Sequence, residues 1–175
     1  MNLPSALTGV RILLVPVILA IFSFDWPTGR WLASILFAIA AFTDLLDGYV
    51  ARRLKMTSSF GVFLDLTADK LLVLSILIAL VQIDQMSAWM VILVMAREVV
   101  ISGLRSYAAA IGLVIPAGPW GKLKTVVTFI ALVGIIGGVE PFSQWLFYLA
   151  LALTMYSAVD YIWAAVPVLN GKTGA

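Results

Sequence analysis

The chain has 175 residues, 63% hydrophobic and 11% charged, with a formal net charge of +2 and a mean hydropathy of +1.10. A soluble domain carries about 25% charged residues, and at this length the interior is too small to hide so much apolar surface, so an ordinary soluble fold is excluded and a bilayer is the expected solvent. The absence of cysteine and histidine excludes disulfides, thiolate nucleophiles, typical zinc sites and imidazole acid–base catalysis.

Six apolar runs are expected to span the membrane, at about 5–24, 31–51, 61–82, 87–110, 122–139 and 143–168. Lipid offers the backbone no partners, and runs this long exceed a barrel strand, so all six are predicted to be helices. The first is too long for a signal peptide and no small-residue cleavage site follows it. Arg11 lies early in it, placed either to snorkel to headgroups or to contact a phosphate. Asp25-Trp26-Pro27-Thr28-Gly29 breaks the first hairpin. The second and third runs carry Asp44, Asp47, Asp65 and Asp69 within them. The fourth carries Arg97, Glu98 and Arg105; Arg97 and Arg105 fall on one face, and a local Arg97–Glu98 pair is open to the sequence although helix neighbours do not face each other. Pro116, Gly118 and Pro119 separate the fourth run from the fifth, which opens on Lys122 and Lys124. Gly134 and Gly138 form a small-xxx-small pair suited to a helix contact. Asp160 lies in the last run beside Tyr161, either to brace a basic residue or to cap a polar face. The connections are short, which predicts a single domain over residues 1–175.

Charge placement sets the orientation. With the N-terminus in the cytoplasm, the inside receives Arg11, Arg52, Arg53, Lys55, Lys122, Lys124 and Lys172, and the outside loops hold Arg30 as their basic residue. That is a positive-inside bias. Trp26, Trp31, Trp89, Trp120 and Trp145 fall near run ends, as an interfacial belt requires.

The second and third runs form an antiparallel pair around a cytoplasmic loop near 53–60. Asp44 and Asp47 are three apart and share a helix face with Gly48 and Ala51; Asp65 and Asp69 are four apart and share a face of the next helix. Both pairs therefore sit at similar depth. Each ionisable group inside a span costs roughly 2.5–3.5 kcal/mol on insertion scales and usually marks function. Four neighbouring carboxylates raise one another's pKa unless a cation neutralises them. With only oxygen ligands available, that cation is expected to be Mg2+ or Mn2+, and two ions together would clamp the oxygens of a displacement at phosphorus. Gly48 and Ala51 leave room for a ligand against the backbone, and Arg52 suits a phosphate.

The arrangement D-x2-D-G-x2-A-R-x8-G-x3-D-x3-D, formed by Asp44, Asp47, Gly48, Ala51, Arg52, Gly61, Asp65 and Asp69, resembles the signature of the CDP-alcohol phosphotransferase family. The resemblance implies an all-α integral membrane protein with six transmembrane helices, usually a homodimer. It implies two divalent cations on the four aspartates, and transfer of a substituted phosphate from a CDP-linked donor to an alcohol with release of CMP. Asp69 is then the base for the acceptor hydroxyl. The donor-binding set is Asp44, Gly48, Ala51, Arg52 and Arg11.

The basic group Arg97, Arg105, Lys122 and Lys124 suggests a second anion beside the donor diphosphate, although positive-inside anchoring accounts for basic residues without a site. The opening Asn2-Leu3-Pro4-Ser5-Ala6-Leu7-Thr8-x2-Arg11, the segments Ala96-Arg97-Glu98, Leu104-Arg105 and Gly121-Lys122-x-Lys124-Thr125, and a looser Ser157-x2-Asp160-Tyr161 resemble the bacterial phosphatidylglycerophosphate synthase branch of that family. This likeness implies CDP-diacylglycerol as donor and glycerol 3-phosphate as acceptor, in a bacterial cytoplasmic membrane with the site facing the cytoplasm. Inositol phosphate or serine remain alternative acceptors on the same core. An ion-coupled transporter is the rival class, but no internal repeat or helix broken at mid-membrane is legible. A nucleic-acid partner is not expected.

Overall fold

The computed structural model describes the backbone of residues 3–23, 28–54, 59–113 and 119–169, and the side chains of residues 9–22, 28–43, 67–113 and 120–166. Each apolar run forms one helix: α1 (Leu3–Ser23), α2 (Gly29–Leu54), α3 (Ser59–Gln82), α4 (Ala88–Ala110), α5 (Pro119–Gly137) and α6 (Phe142–Leu169). The described residues contain no strand. α2 runs past its expected end at 51, because Arg52, Arg53 and Leu54 are good helix formers that extend it beyond the apolar stretch.

Three helices stop by the same device. After α5, the Val139 amide donates to the Gly134 carbonyl at 2.8 Å and the Gly138 amide to Ile135 at 3.1 Å. This pattern requires a left-handed residue at the turn, and Gly138 has φ of 77°. Gly138 is thus a cap, and the expected pairing of Gly134 and Gly138 along one helix does not arise, since α5 ends at Gly137. α4 ends likewise on Gly112, with the Leu113 amide donating to Ala108 at 2.9 Å. α3 ends on Asp84, with the Gln85 amide donating to Leu80 at 2.9 Å. Asp84 has φ of 58° and is the only non-glycine residue with positive φ among those described.

The chain divides into two compact units, residues 1–88 with 132–140, and residues 89–131 with 141–175. In the first, α1 packs on both α2 and α3. The buried residues recur every three or four positions: Val15 and Ile18 on α1, Ala33, Phe37, Ala40 and Ala41 on α2, and Ala68, Leu72, Ile76 and Leu80 on α3. This is the helical spacing of an inward face, and its alanines allow close helix approach.

Arg30, in the first turn of α2, ties this unit together. Its Nη2 donates to Gln85 Oε1 and to the Ile135 carbonyl, both at 3.2 Å, and its Nε to the Ile136 carbonyl at 3.3 Å. One turn on, Ser34 donates to the Val133 carbonyl at 2.7 Å. Advancing along α2 therefore means retreating along α5, so these helices are antiparallel. Gln85 lies just beyond the end of α3, so α2 and α3 are antiparallel too.

In the second unit, Ile101 and Ala108 of α4 cluster with Tyr161 and Ala165 of α6. Arg97 meets Ser157 and, two turns on, Arg105 meets Tyr161, so α4 and α6 run parallel.

The helices α5 and α6 are long and apolar enough to cross a membrane, over Trp120–Gly137 and Phe142–Val166. Shorter apolar stretches occupy Gly9–Phe22 and Gly29–Thr43. α3 and α4 are interrupted by Asp65, Asp69 and Lys70, and by Arg97, Glu98 and Arg105.

Candidate active site

The Arg30–Gln85 bond sets the level of the four aspartates. At 1.5 Å per residue, positions 44 and 47 lie about 21 and 26 Å along α2 from Arg30, and positions 69 and 65 about 24 and 30 Å back along α3 from Gln85. Both pairs thus occupy the end of the first unit remote from Arg30. Asp44, Asp47 and Asp65 lie on described helix backbone; their side chains, with those of Gly48, Ala51 and Arg52, lie outside the described residues.

Asp69 is half-buried, with its Oδ1 shielded from solvent. Arg11 of α1 is 1% exposed. A guanidinium this deeply enclosed does not snorkel to headgroups, which removes one of the two readings of Arg11.

The second unit holds the basic group. Arg97 Nη1 donates to Glu98 Oε1 at 2.7 Å, and Lys124 Nζ, from α5, meets the same oxygen at 2.5 Å. Arg97 Nη2 donates to Ser157 Oγ of α6 at 3.3 Å, and Ser157 in turn donates to the Thr154 carbonyl at 3.0 Å. One carboxylate therefore joins cations from α4 and α5, and the Arg97 guanidinium extends the network to α6. The local Arg97–Glu98 pair that the sequence left open does form, against the general tendency of helix neighbours to point apart. Their backbone directions diverge, but the two side chains are long enough to curl together where burial removes water as a competitor.

The other two basic residues stand apart from this network. Arg105 is exposed, with its guanidinium 5.3 Å from the centroid of the Tyr161 ring, a cation–π contact. Lys122 is exposed at the start of α5. Asp160 is exposed, while Tyr161 beside it is buried. Sequence reasoning named Glu98 as a partner for Arg97 but not for Lys124, and missed the roles of Ser157 and Tyr161. Both stood in the Ser157-x2-Asp160-Tyr161 motif, but attention fell on its charged member.

Residues 1–156 match the family model described as CDP-alcohol phosphatidyltransferase. The chain belongs to the CDP-alcohol phosphatidyltransferase family. A relative from Pseudomonas fluorescens named CDP-diacylglycerol–glycerol-3-phosphate 3-phosphatidyltransferase is 38% identical, over 97% of this chain and 93% of its own. A Bacillus subtilis protein of that name is also 38% identical, over 97% of this chain and 99% of its own. One from Haemophilus influenzae is 35% identical, over 94% and 93%.

CDP-alcohol phosphatidyltransferases are generally dependent on divalent metal. The donor set here fits such an ion. Aspartates are hard oxygen donors of the kind suited to Mg2+ or Mn2+, and Asp69, whose side chain is described, has an oxygen sheltered from water.

Proposed function

We propose that this chain transfers the phosphatidyl group of CDP-diacylglycerol to glycerol 3-phosphate, giving phosphatidylglycerophosphate and CMP. The observation that carries this reading is the near full-length similarity to relatives named for that reaction. The basic group on α4 and α5 supports a phosphorylated acceptor, because Arg97, Lys124 and Glu98 together keep a net charge of +1 and a buried Arg97 Nε without an acceptor, which a neutral alcohol does not balance.

Asp44, Asp47, Asp65 and Asp69 would hold one or two Mg2+ or Mn2+ ions. Such ions supply charge neutralisation at the diphosphate and at departing CMP. Gly48 and Ala51, with minimal side chains, admit the nucleotide beside α2. Arg52 and Arg11 hold donor phosphate. Some of Arg97, Arg105, Lys122 and Lys124, first of all the Arg97 and Lys124 that share Glu98, bind the acceptor's phosphate. Asp69 takes the proton of the acceptor hydroxyl as its oxygen bonds to the diacylglycerol-bearing phosphorus and the bond to CMP breaks. Positioning and electrostatics account for most of the acceleration.

The reaction is assigned to the cytoplasmic face of a bacterial cytoplasmic membrane, with all six helices crossing as one catalytic domain. The apolar outward surface supports this: Trp163 is 76% and Val99 69% exposed, and soluble proteins seldom present broad apolar faces to water. Trp31, Trp89, Trp120 and Trp145 are exposed near helix starts, as an interfacial belt places them. Family kinship supports a homodimer.

The test is CMP release by purified protein from CDP-diacylglycerol and Mg2+ against glycerol 3-phosphate, inositol phosphate, serine and glycerol. Glycerol 3-phosphate is expected to be the acceptor. Release with inositol phosphate or serine alone would move the chain to another branch of its family.

A further inference from the structure

Among the described side chains, Glu98 is an acidic group inside a helix, and the reaction proposed above gives it no role. It is partly buried and pairs with both Arg97 and Lys124 through one oxygen. Two cations this close repel each other, and enclosure strengthens that repulsion. Long basic side chains also lose rotamer freedom when fixed. A carboxylate between them offsets the repulsion and selects one geometry for both. The network leaves one donor unmet. Arg97 has a side chain only 10% exposed; its Nη1 and Nη2 are bonded, but its Nε is buried with no hydrogen-bond partner. A buried unmatched donor is costly unless an acceptor arrives.

We propose that Glu98 is the positioning residue of the acceptor site: it holds Arg97 and Lys124 as a prepared pair for a phosphate monoester dianion, with Arg97 Nε as the donor reserved for that anion. The inference rests on the function proposed above. The three charges sum to +1 with Glu98 in place and to +2 without it. Without Glu98 the pair has more charge but no fixed spacing, so an incoming phosphate must order both side chains itself, a cost that preorganisation avoids. Ser157 contributes by fixing the other edge of the Arg97 guanidinium. Glu98 does not touch the donor in this scheme, so the effect belongs to the acceptor alone.

The experiment is steady-state kinetics of CMP release for wild type, Glu98→Ala, Glu98→Gln, Lys124→Met and the double variant Glu98→Ala with Lys124→Met, varying each substrate in turn. Glu98→Ala is expected to raise the KM for glycerol 3-phosphate about tenfold while the donor KM stays within twofold. Glu98→Gln keeps an acceptor oxygen but not the charge, and falls between the two. The double variant is expected to lose less than the two single losses combined, because part of the effect of Glu98 runs through the cation already removed. If Glu98→Ala fails to fold, the split between acceptor and donor KM in Glu98→Gln decides. Equal rises in both KM values, an unchanged acceptor KM in Glu98→Gln, or additive losses in the double variant would overturn the positioning role. Failure of wild type to use glycerol 3-phosphate would instead refute the function on which the inference rests.

Discussion

At the scale of residues, the described side chains separate groups that sequence spacing joins. Arg97 and Lys124 share a carboxylate, whereas Arg105 lies over Tyr161 and Lys122 faces outward. Neutralising Lys124, as in Lys124→Met, should cost on the order of 1.5–3 kcal/mol, the value of a hydrogen bond to a charged group. Acceptor kcat/KM should then fall roughly 10- to 100-fold. Tyr161→Leu removes the ring beneath Arg105, a contact worth about 0.5–1 kcal/mol at an exposed site, along with some packing against Ile101 and Ala108, and should lower acceptor kcat/KM a few-fold at most. An effect of Tyr161→Leu as large as that of Lys124→Met would show that Arg105, not the Glu98 network, dominates acceptor binding. The aspartates divide by role in the same way. Asp44→Asn, Asp47→Asn and Asp65→Asn should each raise the Mg2+ concentration needed for half-maximal rate. Asp69→Asn should lower kcat most at saturating metal, and a near-wild-type kcat there would assign the base to another group. The four aspartates were legible because charge inside an apolar run is conspicuous. Glu98 was less so, because its meaning depends on Lys124, 26 positions away, and on side-chain reach that helix spacing does not describe.

At the scale of elements, the six helices follow from apolar run length, and their ends lie within a few residues of expectation. The caps were harder to read. Gly134 and Gly138 have the spacing of a helix-contact motif, and only the backbone distinguishes that from a helix followed by a left-handed turn. Asp84 shows the same turn without glycine. Asp84→Gly should therefore raise stability, by up to about 1 kcal/mol, since a non-glycine residue in that conformation is strained; a lower Tm in detergent would contradict this. Arg30 joins the beginning of α2 to the ends of α3 and α5 through three hydrogen bonds. Arg30→Met leaves two buried-end carbonyls and Gln85 without their donor. It should lower stability by about 1–3 kcal/mol while leaving both substrate KM values unchanged, because the aspartate level lies at the opposite end of the unit. A large rise in either KM would show that the two ends are coupled.

At the scale of the whole molecule, apolar composition pointed to the bilayer and the charges pointed to the site, and these two signals oppose each other in α3 and α4. Asp65, Asp69 and Lys70 in α3, and Arg97, Glu98 and Arg105 in α4, break the apolar runs of helices that otherwise consist largely of apolar residues. The lack of native cysteine makes orientation directly measurable with single introduced thiols. Asp84→Cys and Glu140→Cys should react with an impermeant maleimide added to intact cells, and Lys172→Cys only after permeabilisation. Labelling of Lys172→Cys in intact cells would invert the proposed orientation.

The most direct measurement is identification of the lipid product. Purified protein is incubated with CDP-diacylglycerol, Mg2+ and either glycerol 3-phosphate or glycerol, and the lipids are resolved by mass spectrometry. A site built to pair a phosphate rejects an analogue that lacks it, because its cations are then left unmatched. Phosphatidylglycerophosphate should form with glycerol 3-phosphate, disappear with EDTA and return with Mg2+ or Mn2+, and glycerol should give no phosphatidylglycerol. Equal product from glycerol, or full turnover in metal-free buffer, would contradict the account.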